Sequence, residues 1–462
     1  MLSSSDQKLA HIALLPSAGM GHLTPFFRLA ALLAGNNIKV TFITPSPTVS
    51  LAESQTLFRF FASFPEINQK QFHLLPLDKH PSNSEDPFYY HMERICQSSH
   101  LLSSLLSSLS PPLSALITDM SLASPAISIT QALNLPNYVF FTSSAKMSTL
   151  FMSFHALIDS EATTDLDEIE AIKIPGLEAI PRSWIPPPLL QNTNNLLKTY
   201  FLENGKKMAE SSGILVNTFE SIEHEPLRKL NEGKVIEGLP PVIAIGPLAP
   251  CEFEKIQPLP WLDEQPAGSV VYVSFGSRTA MSREQLKELG EGLAISGHRF
   301  LWMVKDKKVD REDEEDLGQV IGSGLMEKLK EKGLVVKYWL NQEAILSHPA
   351  VGGFLSHCGW NSITEAIWNG VRILAWPQHG DQKINADIAE KIGLGTWEKS
   401  WGWGEETAVN GTDIAEKIKE MMGNELLRHQ AMHIREEART AVEIGGSSRM
   451  GPMELIETWK KT

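Results

Sequence analysis

The stretch HIALLPSAGMGHLTPFFRLAALLAGNNIKVTFITP, residues 11–45, decides the fold. HIALLP (11–16) is a short apolar run that predicts a buried strand. SAGMGH (17–22) reads as a loop, LTPFFRLAALLAG (23–35) as a helix with an apolar face, and KVTFITP (39–45) as the next strand. Strand, helix and strand in so few residues make a βαβ unit, the opening of a parallel sheet.

The same alternation continues on both sides of a Pro-rich break. LSALITD (113–119), PNYVFFT (136–142) and SGILVNTF (212–219) predict further strands that end in polar residues. The segments 46–110 and 160–210 are rich in Pro, Ser and aromatic residues and read as irregular pocket walls and lids. Between 245 and 268 there are five prolines and little periodicity, which predicts a linker, with a surface loop as the alternative. Alternation then resumes. SVVYVSF, RFLWMVK, LVVKYW, VGGFLSH and VRILAWP read as strands, and SREQLKELGEGLAISG, QEAILSHP, NSITEAIWNG and DQKINADIAEKIG as helices. The charged run DKKVDREDEEDLGQ (306–319) reads as a solvated loop.

The fold class expected is α/β, with two Rossmann-like doubly wound domains facing across a cleft. Their expected bounds are 1–244 and 261–440, with a linker at 245–260 and a C-terminal helix at 441–462 returning to the first domain. Neither half carries GxGxxG. AGMGHLTP (18–25) begins like it but has Leu23 and Thr24 where the third glycine would fall, which weighs against a nicotinamide-dependent oxidoreductase.

Composition narrows the class further. Of 462 residues, 42% are hydrophobic and 21% charged, the balance of a globular protein. A formal net charge of −14 argues against a nucleic-acid or anionic-membrane partner. Cys96, Cys251 and Cys358 are widely spaced, so reduced thiols in a cytoplasmic protein are expected and a metal site is not. No apolar run is long enough for a leader or a membrane span, and a monomer is the default expectation.

Residues 339–382, WLNQEAILSHPAVGGFLSHCGWNSITEAIWNGVRILAWPQHGDQ, resemble the signature box of plant family-1 UDP-sugar glycosyltransferases along their whole length. GHLTP (21–25), SFGS (274–277) and GGSS (445–448) extend the resemblance more weakly. It implies a GT-B fold, with the donor held mainly by the second domain, UDP-glucose as a co-substrate, and no resident cofactor. Asn361 and Ser362 open a predicted helix whose free N–H groups suit a diphosphate, while His357 and Ser277, just after strands, can donate to phosphate oxygens. Trp339 offers a flat face for uracil, Glu365 a carboxylate for the ribose hydroxyls, and Gln342 matches a residue near the ribose. Asp381 and Gln382, with Trp360 beside them, match the sugar contacts, and Gln at the final position implies glucose. Taken singly, each has a plainer reading: a core tryptophan, a helix cap, a buried histidine.

In the N-terminal half, His22 stands at the mouth of the first strand and the beginning of a helix, and Asp119 at the end of another strand. A near-neutral imidazole suits removal of a phenol proton, and a carboxylate can fix its tautomer. In the family the matching pair is the catalytic base and its partner; a helix cap and a turn former are the alternatives here. Thr142, followed by Ser143 and Ser144, matches a position that contacts the transferred sugar, or forms a hydroxyl-rich turn. HIALLPSAGMGHLTPFFRLAALL, TFITPSPTVSLAESQ, SFGSRTAM and the Asp86-Pro87-Phe88 tripeptide resemble the plant flavonoid C-glycosyltransferases, with Phe27 departing from a smaller aliphatic residue. That resemblance implies glucose transfer to a carbon of a polyphenol A-ring, with Asp86 and Phe88 toward the acceptor. O-glucosyl transfer to phenols and a non-catalytic sugar-nucleotide-binding protein stay open as alternatives.

Overall fold

The computed structural model describes residues 9–77, 87–160, 169–191, 195–255, 259–305, 315–404 and 408–461. The chain divides into two compact units, Met1–Ala249 with Thr440–Thr462, and Pro250–Arg439.

In the first unit the strands are β1 (His11–Leu15), β2 (Lys39–Ser46), β3 (Asn68–His73), β4 (Ala115–Asp119), β5 (Asn137–Phe141), β6 (Ala171–Ile172), β7 (Ile180–Pro181), β8 (Gly213–Val216) and β9 (Val242–Ala244). Seven of them form one sheet in the order β3-β2-β1-β4-β5-β8-β9, while β6 and β7 pair separately. Neighbours in the large sheet are all parallel. Every residue of β1, β4, β5 and β8 is buried, as expected of parallel strands covered on both faces. Phe27 fills this core, stacked on Phe60 at 4.5 Å and on Phe42 at 5.4 Å. The larger ring at this position is therefore a packing element. The C-terminal helix Ser447–Lys461 sets the edge of Trp459 against Tyr138, 5.3 Å between ring centroids.

Two expectations need correction here. The helix after β1 runs Met20–Gly35, so His22 lies in its first turn and the loop shrinks to 16–19. Gly19, at φ +97°, lets the chain turn into the helix this early. The segments 46–110 and 160–210 are not irregular: they hold helices Leu51–Ser63, Pro87–Ser98, Leu102–Ser107 and Leu196–Lys207, and β3. The edge strand β3 buries only Phe72, so it lacks the apolar run that marks the central strands.

The second unit repeats the plan. Its strands are β10 (Val270–Ser274), β11 (Arg299–Met303), β12 (Gly333–Val336), β13 (Val351–Ser356), β14 (Arg372–Ala375) and β15 (Gly395–Trp397). They form a parallel sheet in the order β12-β11-β10-β13-β14-β15. Val271, Leu289, Trp302, Trp376 and Ile418 lie together in its core. β12 ends three residues before Trp339, because it is an edge strand whose one partner among the described residues, β11, last pairs through Met303. Most of the charged run 306–319 lies outside the described residues. The Pro-rich stretch carries two short helices, Glu252–Lys255 and Pro260–Asp263.

Strand order reverses between β1 and β4 in the first sheet and between β10 and β13 in the second. At such switch points the loops beyond the carboxyl ends of two strands diverge and leave a crevice. His22 and Asp119 follow or end the first pair of strands, and Ser277 and His357 follow the second.

Candidate functional site

His22 Nδ1 lies 2.8 Å from Asp119 Oδ2. The carboxylate is fully buried, whereas the imidazole keeps 26% of its side-chain surface exposed. Burial alone would raise the Asp119 carboxyl, but the adjacent His22 and the hydrogen bonds from His22 and Ser121 outweigh it, so its pKa falls below the ordinary value. Asp119 is thus an anion that only accepts. Ser17 Oγ donates to its Oδ1 at 3.1 Å and the Ser121 N–H at 2.9 Å. With an obligate acceptor facing it, His22 Nδ1 carries the proton and Nε2 presents its lone pair.

Thr142 Oγ1 lies 3.2 Å from His22 Nδ1, which ties this hydroxyl to the imidazole. Ser144 Oγ accepts the Met147 N–H at 3.1 Å, just ahead of the helix Ala145–Ser160. Phe88 is buried, its Cε1 3.5 Å from where a Cβ on Gly19 would stand, next to the start of the His22 helix. Asp86 lies outside the described residues.

The second constellation surrounds the helix Trp360–Asn369. Its N-cap is Gly359, which supplies no side-chain cap to the first-turn amides. These N–H groups and the positive dipole end suit an anion. The preceding Cys358 adopts φ +63°, rare for a residue with a Cβ, and is held there by two bonds. Ser356 Oγ accepts its N–H at 3.1 Å, and Asn385 Nδ2 donates to its carbonyl at 3.1 Å. The His357 ring is wedged between glycines: a Cβ would stand 2.5 Å from its Nε2 at Gly276 and 2.6 Å from it at Gly359. Burial pushes the His357 pKa down to about 4, against an opposing bond that the ring donates to the Ser274 backbone carbonyl. It is therefore a neutral imidazole at pH 7. Ser277 sits half-buried in the turn after β10.

Gln342, at the start of the helix Gln342–Leu346, donates from Nε2 to Glu365 Oε2 at 2.8 Å and to Ser362 Oγ at 3.0 Å. These three residues form one connected group. Trp339 is half-buried in the loop just before them, whereas Trp360 is buried. Asp381 is the N-cap residue of the helix Gln382–Lys391, yet its side chain makes no cap bond. Gln382 Oε1 accepts the N–H groups of Gln378 at 2.8 Å and His379 at 2.9 Å. Its oxygen is thereby occupied, and its Nε2 lies 3.4 Å from His379 Nδ1. His379 Nε2 lies 3.3 Å from Thr279 Oγ1, which joins the loops after β14 and β10.

Residues 240–436 match the family model described as "UDP-glucoronosyl and UDP-glucosyl transferase". UDP-glycosyltransferase 708G2 of Citrus unshiu is 54% identical to the chain over 460 residues, covering 97% of this chain and 96% of that protein. The chain belongs to the UDP-glycosyltransferase family. It is also similar to UDP-glycosyltransferase CGT of Oryza sativa subsp. japonica, at 44% identity over 97% of this chain and 96% of the relative. Among solved structures, LpCGTa in complex with UDP superposes with a TM-score of 0.86 at 45% identity, covering 98% of this chain and 99% of that one. The two Rossmann-like parallel sheets of this glycosyltransferase are those of the GT-B class.

Several groups in the glycosyltransferase carry no mark that singles them out in the sequence. Ser121 is legible only as a turn partner two residues after Asp119, and Ser17 as one more loop hydroxyl. Asn385 reads as a helix residue, although it holds the Cys358 carbonyl. Gly276 and Gly359 read as turn glycines, although space for the His357 ring is what they provide. Among the described residues no group of three His, Cys, Asp or Glu could hold a metal, and no helix is long and apolar enough to cross a membrane.

Proposed function

We propose that the enzyme is an inverting, UDP-glucose-dependent glycosyltransferase that forms a β-C-glucoside on the A-ring of a flavonoid or related polyphenol. The observation that carries the reading is the buried, ionised Asp119 held 2.8 Å from Nδ1 of a partly exposed His22. A sugar-nucleotide-binding protein without turnover needs no such pair. The relatives named CGT, one of them solved with UDP, favour carbon as the atom glycosylated.

His22 Nε2 takes the proton of a phenol on a phloroglucinol-type ring, while its Nδ1–H stays on Asp119. The phenolate charge spreads onto the ortho carbon, which attacks C1 of glucose as the bond to UDP breaks and UDP leaves with its electron pair. The ring carbon then gives up its proton to solvent, its C–H electrons restore the aromatic ring and return the ketone oxygen to a phenolate, and that oxygen takes back the proton held by His22. The donor is an α-glucoside, so one displacement gives the β product without an enzyme-bound intermediate. His357, Ser277 and the first-turn amides of the helix Trp360–Asn369 receive the diphosphate, Trp339 the uracil, and Glu365 with Gln342 the ribose. Asp381 and the Gln382 amide receive the glucose hydroxyls.

Incubation with UDP-glucose and phloretin, followed by acid hydrolysis and mass spectrometry, tests the proposal. A product 162 mass units heavier (roughly one hexose residue) that survives acid supports it, because the new bond is C–C. Release of glucose by acid would assign O-glucosylation instead, and an unchanged phloretin would remove the catalytic reading.

A further inference from the structure

The helix that carries His22 begins without a cap of its own. Its N-cap is Gly19, which has no side chain to offer, and its first turn contains no acidic residue. His22 occupies that turn, where the positive end of the helix dipole disfavours a protonated imidazole. A base that must hold a proton while the sugar is transferred is poorly served by that position alone.

The missing negative group comes from a different element. Glu53, on the helix Leu51–Ser63, is only 2% exposed. Its Oε1 accepts the Gly19 N–H at 2.9 Å and its Oε2 accepts the Val49 N–H at 3.0 Å. Ser50 Oγ accepts the Glu53 N–H at 3.2 Å and so fixes the backbone beneath the carboxylate. The buried Phe88 ring packs against Gly19. Burial outweighs the bonds from the Val49 and Gly19 backbone and the charge of His22, so the Glu53 carboxyl lies above its ordinary value, held on the ionised side by those N–H donors and the imidazole. Two carboxylates of described residues act on the imidazole: Asp119, from β4, through a direct bond, and Glu53, from the helix Leu51–Ser63, through its charge.

We propose that Glu53 is a positioning residue for the base: it caps the His22 helix through Gly19 and supplies negative charge that helps His22 hold the acceptor's proton. The inference rests on the reading of His22 as that base. Glu53 acts through Gly19 and through its field, and it touches neither substrate.

The test compares Glu53→Gln, Glu53→Asp and His22→Ala in the full chain, by rate with UDP-glucose and phloretin across pH 5.5–9 (a range of about three and a half units around the ordinary histidine value), with melting curves as a folding control. Neutral His22 is the active base, so activity is lost on the acid side as the imidazole takes a proton. Removing a nearby negative charge makes that proton harder to hold. In Glu53→Gln the acid limb should move to lower pH by on the order of half a unit to one unit, and the plateau rate should fall about tenfold. Glu53→Asp draws the carboxylate back by one methylene and should shift the limb the same way by less. A merely structural role would lower the plateau or the melting temperature and leave the limb in place. A limb that coincides with wild type in Glu53→Gln overturns the proposal, and so does one that coincides in Glu53→Asp should the Gln variant not fold. His22→Ala separates the two readings: if it keeps most of the activity, the base assignment itself fails, whereas an inactive His22→Ala with an unmoved Glu53→Gln limb removes Glu53 alone.

Discussion

A single methyl group at Gly359 should cost the enzyme much of its affinity for UDP. The new Cβ would stand 2.6 Å from His357 Nε2 and 3.3 Å from its Cδ2 and Cε1. Carbon contacts need about 3.5 Å, so the ring must swing aside by nearly an ångström. Gly359 has φ −57°, ordinary for any residue, so the backbone adds no strain and the effect falls on the imidazole. On the proposed reading, in which His357 donates to a phosphate oxygen, the displaced ring would lose that bond. Losing a hydrogen bond to a charged acceptor costs about 1.5–3 kcal/mol, roughly ten- to a hundredfold in Kd. Gly276→Ala makes the partner experiment. Its Cβ would meet the same Nε2 at 2.5 Å, but Gly276 sits at φ +76°. The left-handed backbone adds about 1–2 kcal/mol for a residue with a Cβ. Calorimetric titration with UDP should therefore show both variants similarly weakened, while thermal melting should place Gly276→Ala several degrees below Gly359→Ala. A Gly359→Ala enzyme that binds UDP with wild-type affinity would show that the His357 ring does not face the diphosphate.

Two other outcomes follow from the geometry. On the sugar-contact reading, Asp381→Ala should leave UDP affinity intact while impairing transfer from UDP-glucose tenfold or more (about the cost of one hydrogen bond to a charged group); the side chain makes no cap bond, and a matched loss of melting temperature and UDP binding would make it a helix cap after all. His91 is buried, and burial pushes its pKa down to about 4, so the unfolded chain binds a proton near pH 6.5 that the folded chain refuses; its contribution is complete above pH 6.5 and is lost as pH falls toward 4, on the order of 3 kcal/mol. His357 adds to the same window, and His91→Gln should flatten the fall of the urea midpoint between those pH values, with an unchanged slope contradicting the assignment.

The βαβ plan was legible because β1, β4, β5 and β8 are buried throughout and so read as apolar runs that stand out from their surroundings. The strand-end positions of His22, Asp119 and His357 followed from the same runs, since parallel sheets gather their chemistry at carboxyl ends. Polar edges were hidden for the converse reason. β3 shows one buried side chain in six, and β12 stops where its neighbour β11 stops. Contacts between distant segments were hidden more deeply. Ser50 and Glu53 spell an ordinary capping box, which masks the turn of that carboxylate toward Gly19, 34 residues away. Resemblance matches Gln382 to a sugar contact, but the occupation of its oxygen by two backbone N–H groups depends on the turn at Gln378 and His379. Likewise, nothing local in SFGS or HCGW tells that their glycines meet at one imidazole.

The central claim is that His22, oriented by Asp119, removes the acceptor proton while glucose is transferred. The most direct measurement is the turnover of His22→Ala with UDP-glucose and phloretin, with UDP affinity determined on the same protein. Because the imidazole acts on the acceptor and not on the nucleotide, turnover should fall about a hundred- to ten-thousand-fold while the Kd for UDP stays within about twofold of wild type. A variant that still turns over a weakly acidic phenol at most of the wild-type rate, with UDP bound normally, would contradict it.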